Sequence, residues 1–338
     1  MGILNRLRAS FLGEIVRVPM RREARRFLAA AADCRSHQHR VLQNLVALNG
    51  DSRFSKERRL HEVKTPADLR SRIPVTNFDT YADAIEQVKE GDHRALLGSG
   101  NRLLMFTLSS GTTDRSKFIP ITERFLEDYR RGWQIWGIQA YDAHPVMNAR
   151  NIMQLTSDHD RFRTSGGTPC GNISGLAAGM QKRIVKLMYT VPGAVAKITD
   201  PEAKNYTTLR LALADDNIGM VTTANPSTLV HLARMADLKR EQLIRDVADG
   251  TLSEKYDVAA DVRNLLRRRT GRRNKGRAQQ LERIVERTAV CFPKTTGPES
   301  NWLPSGPAAA RGRICSRCAR TTATLRCAIT DFRPAKAG

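Results

Sequence analysis

Short apolar runs alternate along most of the chain with longer stretches of helical spacing. Phe27, Leu28, Ala31, Val41, Leu42, Leu45 and Val46 predict one long helix over residues 21–49, ended by Asn49-Gly50. Thr65-Pro66-Ala67-Asp68 is a start signal: a capping threonine, proline at the first helical position and an acid in the first turn. Ile73-Pro74-Val75 reads as extended, and Thr76 is the expected cap of a helix through Tyr81, Ile85 and Val88 that stops at Gly91. The run LLMFTL at 103–108 predicts a buried strand, followed by the loop SSGTTD. Phe118 to Ile121 predicts a second short strand, and Thr122 the cap of a long helix carrying Phe125, Tyr129, Trp133 and Trp136. Residues 151–156 and 218–223 are further strands, and Asn225-Pro226 opens a helix with Leu229, Leu232, Met235 and Leu238. Strands alternating with helices predict an α/β fold of mostly parallel sheets flanked by helices.

The pattern changes near residue 289. LERIVERT at 281–288 still has helical spacing, but residues 289–338 hold five Val, Leu or Ile, five prolines, four cysteines and two acids. Such a segment buries too little apolar surface to offset its ordering entropy. It is expected to be disordered, either as a natural basic tail or as an out-of-frame translation product. The abrupt break in mid-helix and the enrichment in cysteine favour the second.

Composition narrows the class. Hydrophobic residues make up 41% and charged residues 27%, which excludes a wholly disordered chain. No apolar run approaches the roughly 18–20 residues that cross a bilayer. The N-terminal segment lacks the apolar core and cleavage site of a secretory signal. Arg6 stands where N-myristoylation calls for Ser or Thr. The expected compartment is therefore the reducing cytoplasm.

A net charge of +22 points to anionic partners. The arginines cluster at 21–26 and 263–277 with few aromatics between them, so stacking platforms for single-stranded nucleic acid are missing. Solvated basic faces are the plain reading of those clusters. The six cysteines are Cys34, Cys170, Cys291, Cys315, Cys318 and Cys327. Only Cys315 and Cys318 have metal-ligand spacing, with no second pair to complete a zinc site. The seven histidines form no metal spacing.

The informative segment is SSGTTDRSKFIPIT, residues 109–122. Ser109, Ser110, Thr112 and Thr113 supply hydroxyls, Gly111 lets the backbone approach an anion, and Lys117 adds a point charge. This is a phosphate cradle between two strands. It is not a Walker loop, because Ser116 and Phe118 replace the second glycine and the metal-binding hydroxyl.

The loop resembles the first nucleotide-binding motif of the adenylate-forming superfamily. Within that superfamily, Lys117, Ile119, Pro120 and Thr122 resemble the Gretchen Hagen family, also called auxin-responsive-promoter proteins. IPVTNFDTYADAIEQVKEGD at 73–92 and RNKGRAQQLERIVER at 273–287 are similar to segments of that family too. The resemblance implies an acyl-acid amido synthetase. Such an enzyme uses ATP and Mg2+ to activate a carboxylic acid as an acyl-adenylate, then passes the acyl group to an amino-acid amine. Carried over, Ser109, Ser110, Gly111, Thr112, Thr113 and Lys117 are the phosphate contacts. Asp114 stands where the superfamily commonly has glycine. Thr168 in GGTPCGNISG, and Asn225 and Ser227 in TTANPST, are candidates for the acyl pocket, though both segments also read as a surface loop and a helix cap.

On this reading residues 1–288 are a partial N-terminal adenylate-forming domain. The family's later adenine and ribose motifs are not found after residue 288, so the chain is expected to be truncated and to have little or no synthetase activity. Two alternatives stay open: a relative that hands its acyl group to a thiol such as coenzyme A, and a basic nucleic-acid-binding protein using residues 263–277. Specific nucleic-acid binding and a membrane span are not expected.

Overall fold

The computed structural model describes residues 3–109, 117–181, 183–223 and 225–290. The expected tail, with Cys291, Cys315, Cys318 and Cys327, lies outside the described residues apart from its first two positions. The chain divides into two compact units. One comprises Met1–Ala149 and Thr156–Gln181. The other gathers Arg150–Leu155 with the described residues from Arg183 onward.

The first unit opens with two helices, α1 (Ile3–Ala30) and α2 (Cys34–Asn49), where the spacing predicted a single one. The break is chemical. Asp33 leaves the helical region at φ −133°, and its carboxylate accepts from Ser36 N at 3.4 Å, capping the second helix. The expected apolar face also stays out of the core: Phe27, Leu28, Val41 and Leu45 are all exposed. Among its described side chains, the apolar residue that α1 buries is Ala24, against Ile135 and Ile138.

A short helix α3 (Arg53–Glu57) leads to α4 (Pro66–Arg72), which starts as predicted. Thr65 Oγ1 accepts from Asp68 N, and the Asp68 carboxylate accepts from Thr65 N at 2.8 Å. The next cap sits one residue later than predicted. Asn77 caps a 3-10 turn at Phe78–Tyr81, while the Thr76 hydroxyl pairs with Tyr81 Oη at 3.0 Å. Helix α5 (Ala82–Glu90) follows, with Ile85 and Val88 buried, and stops at Gly91 with φ +111°.

Strands β1 (Leu103–Ser109) and β2 (Lys117–Thr122) come next, then helix α6 (Glu123–Ala143), capped by Thr122 Oγ1 accepting from Phe125 N. Met105 and Phe106 are consecutive and both fully buried, as a strand covered on both faces requires. Within α6, Leu126, Ile135 and Ile138 are buried. Phe125, Tyr129, Trp133 and Trp136 form a chain of ring contacts along the helix, three of them about half exposed. The unit closes with β4 (Phe162–Arg163), β5 (Pro169–Gly171) and α7 (Ile173–Gly179).

Its sheet runs β2-β1-β5-β4. The central pair β1–β5 is parallel, and both outer pairs are antiparallel. The α/β class therefore holds, but parallel pairing does not dominate among the described residues. Connection length decides this. The links β1–β2 and β4–β5 are too short for a crossover, whereas β1 and β5 are far apart in sequence.

In the second unit, β3 (Asn151–Gln154) pairs in parallel with β6 (Ile218–Thr222), as the alternating pattern predicted. Around them lie α8 (Arg183–Lys186), α9 (Pro201–Ala214), α10 (Pro226–Leu238), α11 (Arg240–Asp249), α12 (Ala260–Thr270) and α13 (Lys275–Val290). Helix α9 is buried nearly all round, with Tyr206, Leu209 and Leu211 in the core.

That core holds a charge. Arg210 is fully buried and donates to the carbonyls of Thr251 (2.8 Å) and Thr270 (2.9 Å). Desolvation lowers its pKa, opposed by the Asp246 carboxylate. Asp246 in turn accepts from Tyr206 Oη at 2.7 Å and Thr251 Oγ1 at 2.6 Å.

The 263–277 cluster corrects the solvated-face reading in part. Arg263 donates to four carbonyls, those of Val258, Leu252, Ser253 and Tyr256. Arg269 donates to Tyr189 and Thr190 carbonyls, and Arg277 to that of Leu213. These guanidiniums tie loop and helix ends together.

Candidate functional site

Strand register builds the hairpin end. Ser109 on β1 lies opposite Lys117 on β2, so the two flank the connection that carries the remaining hydroxyls. Ser110, Gly111, Thr112, Thr113 and Asp114 lie outside the described residues. Of the predicted phosphate contacts, the structure thus places the backbone of Ser109 and the whole of Lys117.

Lys117 sits against an aromatic and aliphatic cluster. Its Nζ lies 5.3 Å from the centroid of the Phe78 ring, and among the described residues no carboxylate pairs with it. A second lysine behaves differently. Lys89 Nζ lies 4.4 Å from the Phe118 ring but is ion-paired with Glu86 at 2.6 Å. Phe118 packs edge-on against Phe106 (5.9 Å) and Phe162 (6.3 Å), which fixes this end of the sheet. The result is one ammonium neutralised by Glu86 and one, at the start of β2, that has no carboxylate partner among the described residues.

The parallel pair supplies the other wall. Phe106 pairs with Cys170 and Thr107 with Gly171, so the chain leaving β5 emerges beside Ser109. There Asn172 caps α7, its Oδ1 accepting from Ser174 N (3.2 Å) and Ser174 Oγ (3.0 Å). Ser157 N donates to Ser174 Oγ at 3.3 Å, bringing residues 157–159 over the same end. Gly175 allows that approach: a Cβ there would lie 2.1 Å from the Ser157 carbonyl oxygen. Polar groups at the C-terminal ends of parallel strands are where α/β sheets place their sites.

Asn172 and Ser174, which the structure places at this end, were not singled out in the sequence, where Thr168 was the candidate from the same glycine-rich segment. The signal was the register, which the sequence does not print. Thr168 precedes β5 and lies at its other end, about five residues or roughly 16 Å of strand away from Ser109. It is buried, and its backbone closes the β4–β5 hairpin: Thr164 N donates to its carbonyl at 3.0 Å, and its own N–H donates to Thr164 Oγ1 at 3.2 Å. Asn225 and Ser227 belong to the second unit. Asn225 Oδ1 accepts from Ser227 N at 3.0 Å and Ser227 Oγ at 2.9 Å, so this pair caps α10.

Cys170 is fully buried, and burial pushes its thiol pKa up, against the pull of Lys89. It packs in the core of the first unit with Ile85, Val88, Ala95 and Phe106. Among the described residues, no group of three or more His, Cys, Asp or Glu could hold a metal, and no helix is long and apolar enough to cross a membrane.

Comparison with known proteins gives a consistent picture. The profile of the GH3 family N-terminal domain matches residues 23–295. A jasmonoyl–L-amino acid synthetase of Nicotiana attenuata, JAR6, is 23% identical over 228 residues, covering 65% of this chain and 39% of its own length. A solved structure of GH3.15 acyl acid amido synthetase superposes with a TM-score of 0.63 at 16% identity, over 74% of this chain and 44% of that one. The same is true of AtGH3.15 acyl acid amido synthetase in complex with 2,4-DB: TM-score 0.63, 15% identity, 85% and 48%. The chain therefore spans under half the length of these relatives.

Proposed function

Since the chain belongs to the GH3 family, we propose that it carries the phosphate-gripping part of an ATP-dependent acyl acid amido synthetase. The observation that supports this most is Lys117, whose ammonium ends the β1–β2 hairpin opposite Ser109 without a carboxylate partner among the described residues.

The chemistry asks for such a group. A carboxylate oxygen attacks the α-phosphorus of ATP, the bond to the β-phosphate oxygen breaks, and pyrophosphate leaves with that electron pair. The amine of an amino acid then attacks the acyl carbon, giving an amide and AMP and losing a proton. The first step transfers a phosphoryl centre between anions, so positioning and charge stabilisation carry most of it. Lys117 and the hydroxyls of residues 109–113 would hold the β- and γ-phosphates. ATP would arrive as its magnesium complex. The acyl acid would lie beside Asn172 and Ser174, at the C-terminal end of β1 and β5.

An amine acceptor is preferred to a thiol because the named relatives are amino acid and amido synthetases. The nucleic-acid reading loses support, since Arg263, Arg269 and Arg277 are spent on carbonyl oxygens. The 338-residue polypeptide by itself is expected to bind nucleotide without forming amide product, in the cytoplasm.

Calorimetric titration with MgATP tests the reading. The wild-type chain should bind, and Lys117→Ala should weaken binding at least tenfold with an unchanged unfolding midpoint. Equal affinity in the two proteins would contradict it.

A further inference from the structure

We propose that Phe78 is a positioning residue for Lys117, its ring face holding the ammonium at the hairpin end without neutralising it. The inference rests on the nucleotide reading above and adds a residue to that site. The structure handles the two lysines of this cluster in opposite ways. Lys89 has both an aromatic face and a carboxylate. Lys117 has the aromatic face of Phe78, with Nζ 5.3 Å from the ring centroid, and no carboxylate among the described residues. The difference matters for binding. A carboxylate would cancel the charge and have to be displaced by phosphate. A ring orients the ammonium through its quadrupole and leaves the charge available.

Phe78 is itself held in place. It opens the 3-10 turn Phe78–Tyr81, which Asn77 caps by accepting from Thr80 N. Its side chain packs on the buried cluster of Ile85, Val88, Ala95, Phe106 and Cys170. The neighbouring Tyr81 ring lies 5.3 Å from Phe54, which braces the same turn. A ring fixed this way restricts a flexible four-carbon stem, so less side-chain entropy is lost when phosphate binds. The turn thus links the segment before α5 to the hairpin end.

Two measurements on wild type, Phe78→Leu and Phe78→Tyr test this. The first is MgATP affinity by calorimetry. The second is the NMR signal of Lys117 after reductive 13C-dimethylation, which keeps the positive charge, assigned with Lys117→Arg. Phe78→Leu should weaken binding about three- to tenfold, as expected for loss of one cation–ring contact. Phe78→Tyr should stay within about twofold of wild type. The Lys117 methyl signal should be ring-shielded in wild type and Phe78→Tyr and lose that shielding in Phe78→Leu. Unchanged affinity in Phe78→Leu, or a Lys117 signal indifferent to it, would overturn the role of Phe78. A wild-type protein whose Lys117 is shielded but which fails to bind MgATP would instead bring down the nucleotide reading, and the role of Phe78 with it.

Discussion

At the scale of single residues, four arginines of the second unit, Arg210, Arg263, Arg269 and Arg277, are spent on oxygen atoms of the backbone. Arg263 donates to four carbonyls between Leu252 and Val258, a stretch without regular structure. The planar fork of a guanidinium spreads five donors over three nitrogens in a fixed geometry, whereas an ammonium offers three from a single nitrogen. Arg263→Ala should therefore lower the unfolding free energy by about 2–4 kcal/mol in urea, since several carbonyls lose their donor. Arg263→Lys should recover less than half of that. Full recovery by lysine would mean that charge, not geometry, is what counts there. This use of arginine could not be read from RNLLRRRTGRR, where six of eleven residues are arginine and nothing local marks which ones turn inward. The place of Lys117 was legible for the opposite reason: a polar, glycine-containing run between two apolar runs marks a turn between strands, and Lys117 opens the second of them.

At the scale of elements, local signals carried furthest where backbone chemistry is self-contained. The capping box at Thr65 and Asp68, the Thr122 cap of α6 and the Asn225-Pro226 start of α10 all sit where the sequence puts them. The helix stop at Gly91 is another case. Its φ of +111° is open to glycine and strained for other residues, while the nearest atom to an added Cβ is 3.8 Å away. Gly91→Ala should thus cost about 1 kcal/mol through backbone strain alone, as read from thermal or urea unfolding. A cost near zero would mean that the turn relaxes. Signals that depend on distant partners were lost. The 21–49 pattern did not reveal that Asp33 breaks the helix, nor that Phe27 and Leu28 remain exposed. Helix α9 was overlooked because burial on all sides erases the amphipathic stripe that marks a helix. The placement of Asn172 and Ser174 needed the β1–β5 register, a long-range pairing between segments far apart in sequence.

At the scale of the whole molecule, two compact units and a family profile over residues 23–295 make this a GH3 N-terminal domain, spanning under half the length of the named relatives. Part of the excess positive charge is internal to the second unit, where buried or half-buried guanidiniums serve backbone carbonyls. On the proposed function, Lys117 touches the terminal phosphates of ATP. An ATP analogue carrying an activated acyl ester on its γ-phosphate transfers that acyl group to the nearest lysine amine. Peptide mapping by mass spectrometry then identifies the lysine. Acylation is expected at Lys117 and should be suppressed by excess ATP. Labelling that spares Lys117 and falls on Lys89 or on scattered surface lysines, indifferent to ATP, would contradict it.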